Sequence, residues 1–438
     1  MQIKTAINKI KSTPIFIQSI NTIILRIIGV ITLFGFTLFL THNYSPIIIG
    51  QYDFIRTFLL VLGTICLLGT EQSILYFSGI MKSNGSFEIL KNIYLKKIAL
   101  IFISSLIPLI VLLVIGDEII NDYFNDSTLY LLLLKSTSCL FFFCLTLLNT
   151  EVFRALDKGY TAEIYRNTLK YFSVIVGSIY LFYVHQEQFL VESFLVGFIF
   201  LAILSTYKIL RVFNNYIKNE NKTNQFSKYS HKEIFLKSYP MAISSMAIFL
   251  LMSFDVMFLK KYYGNETVAY YATAIKLITI LAMVINSVSL TTSTKIAEYF
   301  HLNERKELIK ITRKSSRLIF LLTLPMIIVL IFFPSTILSV FGSNYTIAAQ
   351  PLLILTLGQG ICSLFGPIPI YLNMTGRQKI FQYILIMAVV INFILNSYLI
   401  KRYNMNGAAI SYSISMVFWN VTAAIYIYKK DKIRVFLN

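Results

Sequence analysis

About twelve long apolar stretches divide this chain, and the basic residues fall in every second gap between them. That pattern constrains the fold more than any motif does. It describes membrane-spanning helices whose alternate connections face the side that retains Lys and Arg. The spans lie near 15–40, 54–78, 98–115, 129–148, 169–184, 189–207, 240–259, 268–293, 318–333, 351–371, 381–400 and 408–428. A helix rising ~1.5 Å per residue needs roughly 20 apolar residues to cross ~30 Å of hydrocarbon. The apolar runs are continuous rather than alternating, which excludes a transmembrane β-barrel. The fold class expected is therefore an all-α polytopic membrane protein.

The charge count sets the topology. Of 39 Lys and Arg residues, 31 lie at the termini or in even-numbered gaps. The odd gaps hold only Lys260, Lys261, Lys401 and Arg402. Both termini are expected in the cytoplasm, with an even number of spans between them. The loop 116–127 carries Asp117, Glu118, Asp122 and Asp126 and no basic residue, as an external loop can. The net charge of +19 does not point to nucleic acid. It is spread in short clusters along one face, where anionic membrane lipids are the expected partner.

Composition agrees. Of 438 residues, 56% are hydrophobic and 13% charged, against about 25% charged in a soluble domain. The first span is too long for a cleaved signal peptide, and no small-x-small site closes it. Cys66, Cys139, Cys144 and Cys362 all fall inside spans without a CxxC pair, and read as packing residues. The four histidines do not cluster with cysteines or carboxylates, so no metal site is expected. No phosphate-binding loop, nucleophile elbow or HExxH stands in the chain, so neither a cofactor nor an enzymatic activity is expected.

The longest polar stretch, 208–237, is rich in Asn, Lys and Ser. It divides the chain into an N-terminal six-helix bundle (1–207), a cytoplasmic linker (208–237) and a C-terminal six-helix bundle (238–438). A weak internal repeat supports the division. Ile49-Gly50-Gln51-Tyr52 precedes the second span, and Val268-Ala269-Tyr270-Tyr271 opens the eighth, 219 residues later. Transporters are commonly built from such repeats.

The second half carries a more specific pattern. Asp255 is followed by Thr267-Val268-Ala269-Tyr270-Tyr271-Ala272, then by Phe341-Gly342-Ser343-Asn344-Tyr345, Thr375-Gly376-Arg377 and Asn406-Gly407-Ala408-Ala409. In the first half, Ser45-Pro46-Ile47-Ile48-Ile49-Gly50-Gln51-Tyr52 precedes the second span. In order and spacing the chain resembles the polysaccharide-exporter branch of the multidrug/oligosaccharidyl-lipid/polysaccharide superfamily, which includes the O-antigen and capsule repeat-unit flippases. Ala269 departs from it, since that family usually has Gly there. The resemblance implies two bundles flanking a central cavity, in the bacterial inner membrane. It implies translocation of undecaprenyl-diphosphate-linked oligosaccharide by alternating access. It also implies a polysaccharide polymerase and a chain-length regulator as partners.

Charge at bilayer depth costs about 2.5–3.5 kcal/mol on insertion scales, so it usually faces a cavity or a partner. Six residues stand there: Arg26, Arg56, Glu71, Lys135, Asp255 and Lys276. Arg26, Lys135 and Lys276 are the candidates for a cationic cavity that would receive the implied diphosphate. Arg26 has snorkelling as its alternative, and Lys276 an ion pair with Asp255. Arg56 is expected to pair with Asp53, three residues earlier on the same helix face. Glu71 and Asp255 are the candidates for coupling to a proton or sodium gradient, or for ion pairing. The tenth span contains Gly358, Gly360, Gly366, Pro367 and Pro369, and is not expected to stay a continuous helix. These five are the hinge candidates.

Two other functions compete with the flippase. One is a multidrug/cation antiporter of the related MATE type, which places acidic residues in its bundle. The first span here has Arg26 and no acid. The other is a membrane polymerase or glycosyltransferase of the same pathway. A polymerase needs a long periplasmic loop, which no gap supplies. The topology is directly testable. Alkaline phosphatase fused after Lys82 or Arg305 is expected to be inactive, and after Asp122 or Asn344 active. An active fusion at Arg305 would overturn the assignment.

Overall fold

The computed structural model describes residues 14–71, 73–75, 77–78, 87–218 and 230–436, and none of these is in a strand. The helices are α1 Pro14–Asn43, α2 Pro46–Leu67, α3 Phe87–Phe124, α4 Leu129–Ala155, α5 Gly159–Glu163, α6 Lys170–Tyr183 and α7 Leu190–Lys218. There follow α8 His231–Leu251, α9 Phe254–His301, α10 Arg305–Phe332, α11 Pro334–Ser339, α12 Ala349–Ser363, α13 Ile368–Met374 and α14 Gln378–Asp431. A π-helical turn, Ile164–Leu169, joins α5 to α6. The protein is thus all-α. Among the described residues, eight helical stretches are long and apolar enough to cross a membrane.

Two of those stretches hold two expected spans each. At ~1.5 Å per residue, the 48 residues of α9 would extend ~72 Å, more than twice the hydrocarbon thickness. The helix is broken at Gly264 (φ 78°, ψ −168°). The Tyr271 hydroxyl donates to the Asp255 carboxylate at 2.6 Å across that break. In a straight helix those residues would stand ~24 Å apart, so the chain reverses at Gly264. The 54 residues of α14 are broken in the same manner at Asn404 (φ 51°, ψ −131°), which brings Gly407 against the Leu399 carbonyl.

Chain contacts divide the protein into two compact units. One comprises the residues up to Tyr44 with Leu59–Ser245; the other comprises Ser45–Phe58 with Met246 onward. The first unit carries a buried polar network. Tyr94 donates to Asn149 Oδ1 at 2.7 Å, and Asn149 Nδ2 donates to Ser205 Oγ at 2.7 Å and Thr206 Oγ1 at 2.9 Å. These bonds tie α3, α4 and α7, as interhelical polar contacts do where the hydrophobic effect cannot drive association. In the second unit, the Arg377–Asp431 ion pair accepts a further bond from the Tyr371 hydroxyl at 2.6 Å. Beneath it packs a core of Ile368, Leu372, Leu385, Ala388 and Ala423.

Helix ends depart from the hydropathy pattern. α7 runs on to Lys218 and α8 starts at His231, so 208–218 and 231–237 of the polar stretch are helical. Helical backbone bonds stay satisfied in water as well as in lipid, so a helix need not stop where its apolar run stops. Residues 219–229 lie outside the described residues. α3 and α10 continue through Pro108 and Pro325.

One break has no counterpart in the sequence reading. α2 stops at Leu67, and Leu68 and Gly69 both adopt positive φ (50° and 71°) before helix resumes at Thr70. A Cβ on Gly69 would lie 2.3 Å from the Ser238 carbonyl oxygen and 2.7 Å from the Ala242 nitrogen of α8. Backbone cannot yield as a flexible side chain can. Gly69→Ala is therefore expected to destabilise the protein by at least ~2 kcal/mol, from the left-handed strain and the clash together. A lowered thermal midpoint in detergent, with unchanged synthesis, is the result that checks it.

Candidate functional site

Among the described residues, two groups of buried charges stand out, one in each unit. In the second unit, α2 begins with Pro46 and comes so close to α9 that a Cβ on Gly50 would lie 1.7 Å from the Asn265 carbonyl oxygen. That approach seats Asp53, which is fully buried, within reach of α9. Lys276 donates to Asp53 Oδ2 at 2.9 Å, and Arg56 Nε stands 3.4 Å from Asp53 Oδ1. Lys260, also buried, donates to Asn265 Oδ1 at 2.6 Å and lies 5.9 Å from the centre of the Phe54 ring.

This corrects the alternative reading of Lys276, an ion pair with Asp255. Asp255 does not face it. The Asp255 carboxylate takes the Tyr271 hydroxyl and the Val256 backbone N–H, at 2.6 and 2.9 Å. Tyr271 and Lys276 are five residues apart on one helix, roughly 140° around it at 3.6 residues per turn. Spacing along the sequence gives depth in the membrane. It does not tell which side of the next helix a carboxylate meets. The Arg56–Asp53 approach, three residues apart, is the one the helix period anticipates.

In the first unit, Lys97 is fully buried on α3. Its amine donates to the Thr70 carbonyl at 3.0 Å and to Ser73 Oγ, and it lies 5.2 Å from the centre of the Phe77 ring. Ser73 Oγ also bonds Ser238 Oγ at 2.6 Å. Glu71 interacts electrostatically with Lys97, and its Oε2 is buried without a hydrogen-bond partner. The group assembles where α2 is broken. Sequence reading counted Lys97 only as a cytoplasmic marker. A signal was present: Leu90, Tyr94, Lys97, Ile101 and Ser104 repeat at helical spacing, and all five are buried.

The other candidates are placed as follows. Lys135 pairs with Glu192 at 2.6 Å, so α4 and α7 answer that charge between them. Arg26 lies on α1, and its side chain falls outside the described residues. Gly358 and Gly360 sit within the unbroken α12. The break of the tenth span falls at Gly366 (φ 70°), with Pro367 capping α13 and Pro369 in its first turn. Among the described residues, no group of three His, Cys, Asp or Glu could hold a metal ion.

The fold is that of a polytopic α-helical membrane protein. Its backbone superposes on the lipid II flippase MurJ in an inward closed conformation, with a TM-score of 0.67 at 16% identity. That match covers 96% of this chain and 90% of MurJ. An inward-facing multidrug transporter of the MATE family gives a TM-score of 0.71 at 12% identity, over 95% and 98% of the two chains. Such distant likenesses show the fold alone. Residues 240–398 match the MatE family model. Two sequence relatives also match. One, provisionally designated an O-antigen transporter of Shigella flexneri, is 25% identical over 225 residues, 50% of this chain and 52% of its own length. The other, provisionally designated the low-salt glycan biosynthesis flippase Agl15 of Haloferax volcanii, is 25% identical over 329 residues, 73% of this chain and 66% of its own length. The matched segments thus span about half and about two thirds of these relatives.

The ion pair is open to a double-mutant test. Lys276→Ala leaves the Asp53 carboxylate buried without its Lys, and is expected to cost about 3–5 kcal/mol. Adding Asp53→Asn should recover much of that loss, whereas adding Asp255→Asn should not. Thermal midpoints of the purified single and double variants are the measurement. Recovery by Asp255→Asn would contradict the geometry.

Proposed function

We propose that this protein translocates a lipid-linked oligosaccharide across the membrane by alternating access. One observation carries the reading: a chain with the fold of MurJ and the MATE transporters has sequence relatives, from two different organisms, designated an O-antigen transporter and a glycan biosynthesis flippase. Undecaprenyl diphosphate is the lipid carrier we propose, in the bacterial inner membrane with both termini cytoplasmic. Buried basic groups suit an anionic carrier, and an Arg fork binds phosphate oxygens bidentately where Lys acts as a point charge. Arg26 is our candidate for that contact. Lys276 and Lys135 already meet Asp53 and Glu192, so they serve it only by exchanging partners. Glu71 and Asp255 are the proposed coupling groups, and the break at Gly366–Pro367–Pro369 the proposed hinge. The basic groove of Lys306, Lys310, Arg313, Lys314 and Arg317 on α10 fits anionic lipid headgroups.

A drug/cation antiporter is the second reading. It is favoured by the MatE match and by Asp255, a fully buried acid inside the second unit. Leaflet accumulation separates the two. Loss of the gene should trap complete lipid-linked repeat units on the cytoplasmic leaflet, without altering sensitivity to cationic drugs. Arg26→Ala should reduce surface glycan at normal protein abundance, and Arg26→Lys should restore it only in part. Wild-type glycan distribution in the deletion strain, with new drug sensitivity, would instead establish the antiporter.

A further inference from the structure

The second unit contains a cavity of about 140 Å³ that neither group of buried charges reaches. It lies where two helices are broken. Met252, between α8 and α9, lines one part, and Gly366, between α12 and α13, lines another. Broken helices are how membrane proteins bring irregular backbone to a site without exposing it to lipid.

Its lining has a distinct chemistry. Among the described residues that form it, none is charged, which disfavours a phosphate or a cationic drug. Into a mostly aliphatic wall it sets three amides, Asn286, Gln359 and Asn420, and two aromatic rings, Tyr412 and Trp419. Trp419 is held in place, its indole N–H directed to Met416 Sδ at 3.3 Å and its ring edge-on to Phe381 at 5.9 Å. Gln359 is only 4% exposed, yet its Oε1 has no hydrogen-bond partner. A buried acceptor left unmade costs about 1–3 kcal/mol. An unpaired amide oxygen in a neutral, largely apolar cavity that also holds two aromatic rings needs a hydroxyl or N–H donor from something that also presents an apolar face.

We propose that this cavity is a subsite for one uncharged sugar residue. A pyranose ring supplies both requirements. Its C–H face stacks on Trp419 or Tyr412, and its hydroxyls donate to Gln359 and exchange bonds with Asn286 and Asn420. The volume falls below the ~300–1,000 Å³ of drug-sized sites, which suits a single ring rather than a whole repeat unit. The inference rests on the glycan-transport reading. It adds a sugar-recognising element in the second unit, distinct from the charged groups.

Trp419 is the chain's single tryptophan, so its emission reports this cavity and nothing else. The full chain in phospholipid nanodiscs would be titrated with the methyl glycosides of glucose, galactose and N-acetylglucosamine. At least one should change Trp419 emission saturably at millimolar concentration. Gln359→Met keeps the side-chain length and removes the hydrogen bond; it should weaken that response about tenfold. Its thermal midpoint should not fall, because an unmade bond is removed. If Gln359→Met does not fold, wild-type protein with brominated acyl chains in the nanodisc decides. Quenching by bromine with no response to any glycoside means that lipid fills the cavity, and overturns the proposal. Quenching by ethidium without a glycoside response overturns it as well. Glycan export is scored separately by complementation of a deletion strain. Restored export with a silent Trp419 defeats only the sugar subsite. Failed complementation defeats the transport reading itself.

Discussion

Hydrocarbon offers no hydrogen bonds and little charge solvation, and most of this protein's interior answers that constraint. The backbone answers it by being helical over most of the described residues, with short breaks between the helices. Side chains answer it by finding one another. Lys276 reaches Asp53, Lys260 reaches Asn265, Lys97 reaches the Thr70 carbonyl, and Asp255 takes the Tyr271 hydroxyl. Threonines and serines mostly bond the carbonyl one turn back, as Thr57 does to Asp53 and Thr323 to Ile319.

The same constraint explains where the helices break. A break frees backbone groups, so it is tolerated only where something inside the protein receives them. The break at Leu68–Gly69 lies beside α8 and is followed at once by the Lys97 group. The break after Leu251 precedes Asp255, whose carboxylate caps Val256. At Gly366 a Cβ would meet Ser316 Oγ at 2.0 Å, so the chain turns tightly against α10 there. Irregular backbone and costly side chains therefore share locations, as they do in transporters whose sites are built from discontinuous helices.

Each unit thus buries an ammonium beside a broken or closely approached segment of the second span's sequence. Lys97 sits with Thr70, Ser73 and Phe77, and Lys276 with Asp53. One span supplies polar partners to both units, because Ser45–Phe58 belongs to the second and Leu59 onward to the first. The second span is consequently the segment whose substitution should be felt most widely.

The apolar helices and the all-α class were legible because membrane thickness and helix rise impose a length scale that local composition must meet. The Asp53–Arg56 approach was legible for a similar reason, since both residues sit on one helix and its period is known. The Asp53–Lys276 pair was not, because it joins residues 223 apart and depends on the rotation of one helix against another. Lys97 shows the intermediate case: its helical stripe was written in the sequence, yet adjacency to Lys96 made it look interfacial. Gln359 was invisible, since an amide becomes a candidate site only when packing leaves its oxygen without a donor. Sequence alone determined that the chain is built from membrane-length apolar helices, because that is a property of single helices. Which buried charges and amides meet, and which stay open to a ligand, is a property of helix pairs, and only the tertiary structure decided it.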